Sequence, residues 1–351
     1  MVTKKGAVAL LCVALAAAPR FSGAQTLEAT GDKAALHPED PPPIVFTRYP
    51  MSDLIPLDAG VYVVEPETGE EMRISGHVGP ASGFTFGYHT ALSPSGRRIA
   101  FSGSTSNDER QNIFLVDVDG TNLHKMARIT RRGDTMPSWA PDERRLAVMR
   151  IIGSTAVVDR VRPDGSHRKK LVGFEGWSPQ WSPDGRFVTV HERGLFLVRS
   201  DGTHLWRLVR RRVGGVDWHP TLRKLVFPKG LGKEADLFEM NLNTGRQKRL
   251  TNDYPIGDRS PVWSPDGTKI AFVRRDAPNE DVYIMNADGT GVTRLTESPR
   301  RDFDPVWSSD GRHIAFVSRR DGNFEIYSMR ADGSNETRLT TNPGDDLSPD
   351  W

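Results

Sequence analysis

Two stretches near the end of the chain are close copies of each other, and they constrain the fold more than anything else in it. Ser260 to Thr296 reads SPVWSPDGTKIAFVRRDAPNEDVYIMNADGTGVTRLT, and Pro305 to Thr340 reads PVWSSDGRHIAFVSRRDGNFEIYSMRADGSNETRLT. The first has two Asp-Gly pairs set between apolar runs, and the second repeats them in place at Asp310-Gly311 and Asp332-Gly333. That arrangement predicts tight hairpins, because glycine takes the positive φ such turns need. Two hairpins joined by a longer polar loop predict an up-down-up-down sheet of four strands.

The unit recurs along the chain. Its first-strand tryptophan appears as Trp139, Trp181, Trp218, Trp263, Trp307 and Trp351, with Leu92 in the equivalent place in LSPSG. Successive spacings are 47, 42, 37, 45, 44 and 44 residues. A period near forty with four strands per repeat predicts an all-β fold, a β-propeller. The pattern DxxPxWSPDGxxIAF…IYxMxxDGxxxxRLT resembles the TolB-type β-propeller repeat of bacterial envelope proteins, over residues 44 to 351.

Blade counting gives seven, each a four-stranded antiparallel sheet. Ile44 to Arg48, Val61 to Val64 and Met72 to Ser75 read as second, third and fourth strands, so the first blade begins without its innermost strand. Asp346 to Trp351 (DLSPDW) matches Asp302 to Trp307 and supplies it. The ring is then closed by the C-terminal strand joining the N-terminal blade, which leaves no open edge between the termini. A six-bladed ring is the alternative, because Leu92 replaces Trp in one repeat and Trp218-His219-Pro220-Thr221-Leu222 lacks the Asp-Gly turn in another. Second strands such as IAF, LAV and LVF are unbroken apolar runs, as expected of strands covered on both faces. The tryptophans are read as core wedges between blades.

The segment 1–24 is read as a secretory signal peptide: Lys4 and Lys5 precede an apolar run from Gly6 to Ala18, and small residues precede Gln25. Cleavage is expected after Ala24. Thirteen apolar residues are too few to span a bilayer, so no transmembrane segment is expected in the mature chain. Cys12, the only cysteine, would leave with the signal. Removing Lys4, Lys5 and Arg20 takes 47 basic residues to 44 against 45 acidic ones, and a net charge of about −1 gives no support to nucleic-acid binding. Residues 25–43, with Pro38, Pro41, Pro42 and Pro43, read as a flexible lead-in to a propeller domain over 44–351. TolB itself carries a mixed α/β domain before its propeller, which nineteen residues cannot encode. Contacts that depend on that domain are not carried over.

Topology places both Asp-Gly hairpins of a blade on one face, and the blade-to-blade crossings with the second-to-third loops on the other. Arg131, Arg132, Arg211, Arg212, Arg259, Arg300 and Arg301 gather on the crossing face, where guanidinium forks suit carboxylate or phosphate. Two readings stand: local pairing with nearby aspartates such as Asp276 and Asp302, or a partner-binding surface. Asp134, Asp258, Asp302 and Asp346 each stand three residues before a first-strand proline. They are read as tying the crossing to backbone N–H groups, with a calcium ring as the weaker option, since TolB-like propellers can carry ions near the channel. No GxSxG is present, and His191-Glu192 lacks the second histidine of a zinc helix. No catalytic residue is assigned. The resemblance implies an exported, monomeric, non-enzymatic protein-binding module of the cell envelope, periplasmic or secreted, engaging an envelope protein on the loop face at the channel mouth. The alternative is a carbohydrate-active enzyme, polysaccharide lyase-like, with a channel-mouth metal.

Overall fold

In the computed structural model, residues 42–49, 59–75, 89–105, 108–127, 133–152, 155–173, 177–191, 194–230, 232–276 and 279–351 are described. The segment read as a signal peptide and most of that read as a lead-in lie outside them, as do Arg131 and Arg132.

Seven four-stranded antiparallel sheets form the ring, which decides between seven blades and six. Blade 1 has the order Asp345–Asp350, Ile44–Tyr49, Gly60–Val64, Glu71–Arg73, so the closing strand comes from the far end of the chain. Val45 pairs with Asp350 and Arg48 with Asp346 across that seam. Blades 2 to 7 begin at Thr90–Leu92, Asp134–Trp139, Trp177–Trp181, Asp217–Trp218, Gly257–Trp263 and Asp302–Trp307. Among the described residues the single helical piece is a 3-10 turn, Gly232–Glu234, and no helix is long and apolar enough to cross a membrane.

Second strands are the dry layer: Phe46, Phe101, Phe227, Phe272 and Phe316 are fully buried. The apolar clusters are shared between neighbouring blades. Trp263 packs with Val226 and Leu237 of blade 5, and Trp307 with Ala271 and Val282 of blade 6. Each indole thus wedges into the blade before its own. Trp139 and Trp307 also donate Nε1–H to the carbonyls of Ala91 and Val262 in those blades, at 3.1 and 3.3 Å.

The closing Arg-Leu-Thr of blades 5, 6 and 7 has a physical reading in each of its residues. Arg249, Arg294 and Arg338 pair with the acid at the start of the third strand, respectively Asp236, Asp281 and Glu325. The leucine turns into the core. The hydroxyls of Thr251, Thr296 and Thr340 accept the N–H of Leu237, Val282 and Ile326 at 2.9–3.0 Å, satisfying a buried donor beside the crossing.

The missing Asp-Gly turn of blade 5 is replaced by a histidine. In blade 6 the Asp266 carboxylate accepts Thr268 N–H at 3.0 Å. In blade 5 the ring Nδ1 of His219 accepts the N–H groups of Thr221 and Leu222 at 3.2 and 3.0 Å. The same ring lies 4.7 Å from that of Trp263, so one imidazole caps the turn and packs on the next wedge.

Candidate partner-binding face

Five first strands carry the same backbone device. Met136, Ser178, Ser260, Asp304 and Ser348 all have φ between 45° and 54°, each is followed by proline, and each lies where strand pairing shifts register. Proline has no N–H to give the ladder, and a left-handed residue before it turns the strand, so the innermost strand bulges at mid-length. Such positions are uncommon for non-glycine residues. Met136 and Ser178, with His89, Gln180 and Asp350, line a channel cavity of about 360 Å³.

At the crossing end, the four recurrent aspartates meet arginine. Arg48 forks onto both oxygens of Asp346 at 2.8 and 2.9 Å, and Arg274 onto both of Asp258 at 2.9 and 3.0 Å. Arg320 reaches Asp302 at 3.0 Å, and Arg168 reaches Asp134 at 2.6 Å. In blades 1, 6 and 7 the same guanidinium also lies over the third-strand tyrosine: Tyr62 at 4.3 Å, Tyr283 at 5.0 Å and Tyr327 at 4.5 Å. The threonine hydroxyl of the preceding blade lies against the aspartate in the same three blades. Burial pushes all four carboxyls upward while the arginines oppose it. Arginine therefore stands where the sequence reading put backbone N–H groups. Among the described residues no three His, Cys, Asp or Glu side chains come together in a way that could hold a metal ion.

The arginines of the face divide into two groups. Arg259 and Arg301, from successive crossings, converge on one carboxylate, that of Glu280, which is 4% exposed. Arg259 donates to its two oxygens at 3.3 and 2.8 Å, and Arg301 donates at 2.7 Å. Arg275, from the second-to-third loop, adds an ion-pair contact at 3.8 Å. Burial alone would raise Glu280, but bonds and charge from Arg259 and Arg301 prevail and hold it below the usual range. Arg259 and Arg301 also lie over the Phe303 ring at 5.7 and 5.4 Å, and Phe303 meets Phe324 edge-on at 5.4 Å beneath Arg319. Beside them the Asp304 carboxyl is raised by burial, with Arg259 opposing. Arg300 is exposed next to Arg301. Arg211 and Arg212 are exposed at the crossing from blade 4 to blade 5 and make no described contact with this cluster.

Pairing is thus real but not balanced: three arginines share one carboxylate. Arginine and aromatic side chains in one half-buried patch form the composition that dominates binding hot spots. Glu280 was not identified from sequence, although aligning the blades exposes it. The residue just before the third strand is Ala235 in blade 5 and Phe324 in blade 7, and Glu280 alone is charged among these three.

The PD40 family, the TolB beta propeller domain, matches residues 215–351, which cover blades 5 to 7 and the closing strand. The Tol-Pal system protein TolB of Anaeromyxobacter sp. (strain K) is 29% identical over 315 residues, 84% of this chain and 66% of its own length. The chain is a TolB-like β-propeller. Against the curated TolB relatives it spans two thirds of their length or less, down to 36%. TolB from Acinetobacter baumannii shares the fold with a TM-score of 0.55 at 15% identity, over 88% of this chain and 66% of that one. An oligogalacturonate lyase in complex with manganese has a TM-score of 0.60 at 12% identity, over 86% of this chain and 85% of its own. At such identities the likeness is one of fold alone, and the TolB-like propeller's function has to be argued from its own side chains.

Proposed function

We propose that this TolB-like propeller is an exported, non-enzymatic protein-binding module of the bacterial envelope that engages another envelope protein on its crossing face. The observation that carries this is the sharing of Glu280 by Arg259, Arg275 and Arg301 around Phe303. The cluster leaves unbalanced positive charge over an aromatic floor at the channel mouth. Guanidinium groups already oriented by a buried carboxylate lose little further freedom when a partner's acidic or aromatic groups arrive. Relatives named for the Tol-Pal system support the envelope setting. Export rests on the leader-like segment 1–24, and a mature mass beginning at Gln25 checks it. The metal-dependent enzyme alternative requires converging histidines and carboxylates at the mouth, a site the described side chains do not supply.

The test is capture of partners from an envelope extract by immobilised protein. Arg275→Glu with Arg300→Glu, both on exposed side chains, is expected to slow association about tenfold and flatten its salt dependence, with the melting temperature nearly unchanged. Reversing Asp266, Asp288 and Asp332 on the hairpin face should leave capture intact. Loss of capture in the hairpin set but not in the arginine set would place the functional surface on the opposite face.

A further inference from the structure

The outer strand of blade 4 departs from every other outer strand. Fourth strands elsewhere run two to four residues: Glu71–Arg73, His124–Lys125, Lys169–Val172, Gln247–Arg249, Thr293–Arg294 and Thr337–Arg338. They are short, and their outward positions are polar or charged, which are the usual ways a protein keeps a sheet edge from pairing with another chain. Blade 4 ends instead on Leu205–Val209, five residues reading LWRLV, with Leu205 45% and Trp206 41% exposed. The strand is the last of its sheet, so its outer edge has no neighbour within the blade.

The apolar surface is built rather than incidental. His204 stacks on Trp206 at 5.7 Å, and Trp206 packs on Phe187 at 6.1 Å. Arg223 of blade 5 lies over Phe187 at 4.7 Å, beside Leu222, which is 51% exposed. Trp206 is therefore held against a rigid floor at the seam between two blades. Immediately after the strand come Arg210, Arg211 and Arg212, all exposed, and no described carboxylate pairs with their side chains.

We propose that the outer edge of blade 4 is a second docking surface, separate from the channel mouth, which takes an extended acidic peptide segment of another protein as a fifth strand. Strand addition gains main-chain hydrogen bonds along an open edge, and alternate side chains set its selectivity. Here apolar residues on one face of the incoming strand would rest on Trp206, those near its other face on Leu205, and its carboxylates would meet Arg210, Arg211 and Arg212. These exposed arginines, with no described carboxylate beside them, decide the sign of the partner. This proposal does not depend on the function of the mouth, and its variants touch none of the mouth residues.

The probe is a short fluorescein-labelled peptide alternating valine with glutamate, titrated into the full protein at low salt and followed by anisotropy. Hydrogen exchange is read at Leu205–Val209. Saturable binding with added protection of those amides is expected. Leu205→Lys with Trp206→Glu should weaken binding at least about tenfold while the melting temperature holds, since both side chains are half exposed. A valine–lysine peptide, and a valine–glutamate peptide methylated on alternate backbone nitrogens, should both fail to bind. Equal binding of either control peptide would overturn the proposal, as would binding indifferent to the double substitution. Concentration-dependent dimerisation abolished by Trp206→Glu would also overturn it, assigning the edge to a second copy of the chain.

Discussion

The crossings into blades 6, 7 and 1 differ from the crossing into blade 5, and the difference separates what the ring needs from what it can exchange. The first three use a polar clamp of threonine, aspartate, and an arginine lying over tyrosine: Thr251–Asp258–Arg274, Thr296–Asp302–Arg320 and Thr340–Asp346–Arg48. Into blade 5, the same places hold Val209, Val213 and Lys229. Both valines are buried in one apolar cluster, and the lysine lies over Phe238 at 4.8 Å. Blades join either way. A buried ion pair is weak evidence for stability, because desolvation offsets much of the attraction, and a well-packed apolar pair can replace it. What the polar version adds is direction: it fixes a guanidinium at each crossing and so sets the charge pattern of that face.

The largest expected effect comes from breaking a clamped crossing outright. Deleting Asp345 to Trp351 removes the inner strand of blade 1, leaves Arg48 and Thr340 without Asp346, and strips the Trp351 indole from the Pro42 carbonyl, which it reaches at 2.7 Å. Loss of a core tryptophan alone costs roughly 3–5 kcal/mol, comparable with a domain's whole stability margin. The truncated chain is expected to aggregate or to melt far below the parent. Unchanged melting with monomeric elution would show that the other crossings hold the ring without this one.

A smaller effect comes from exchanging one crossing type for the other. Asp258→Ala removes the forked partner of the buried Arg274 guanidinium, leaves it the ion pair with Asp253, and should cost about 3 kcal/mol in urea unfolding. Thr251→Val, Asp258→Val and Arg274→Lys together copy the crossing into blade 5 and should recover to within about 1 kcal/mol of the parent. If the triple variant is as unstable as Asp258→Ala, the two crossing types are not interchangeable, and the clamp is required where it stands.

The ring itself was legible because it repeats. Asp-Gly hairpins, wedge tryptophans and unbroken second strands recur every forty or so residues, and repetition averages out local irregularity. DLSPDW could be placed in blade 1 only because DFDPVW preceded it as a template. The site was less legible because it lies in departures from the repeat. Arg259 and Arg301 were picked out by type, but their meeting on Glu280 depends on a residue just before the third strand with no motif of its own. The left-handed residues before Pro137, Pro179, Pro261, Pro305 and Pro349 were visible as an x-Pro-x-Trp pattern, but their backbone conformation was not. Near Trp218 the missing Asp-Gly read as degeneration, whereas His219 holds the turn there with an imidazole nitrogen that accepts two earlier N–H groups of it. Side chains as different as aspartate and histidine can hold the same hairpin, each acceptor taking the N–H groups within its own reach.

The smallest expected effect sharpens the contrast between blades 5 and 6 at the channel wall, through pH. Asp217 stands just before Trp218, where blades 6 and 7 have Val262 and Val306, and its carboxylate accepts Trp263 N–H at 2.7 Å. Protein encloses the group although the residue borders the channel, and this burial pushes it up to about 6, against the opposing backbone bonds from Trp263 and Trp218. The folded state therefore holds this proton more tightly than the unfolded chain, whose aspartate titrates near 3.8. The contribution to stability is complete below about pH 4 and is lost as pH rises through about 6, by at most about 3 kcal/mol. Asp217→Asn keeps an oxygen for Trp263 N–H and carries no charge at any pH. It should match the parent near pH 4 and exceed it above pH 7, seen as urea midpoints that diverge between those limits. Asp350 sits in the same place in blade 1, accepts Leu92 N–H at 2.7 Å and is likewise raised by burial, so some pH dependence should survive in the single variant and shrink further with Asp350→Asn. Parallel midpoints for parent and Asp217→Asn across the range would mean that the channel wall hydrates this carboxylate as well as water does, and that blade 5 loses nothing by carrying a charge where blade 6 carries a valine.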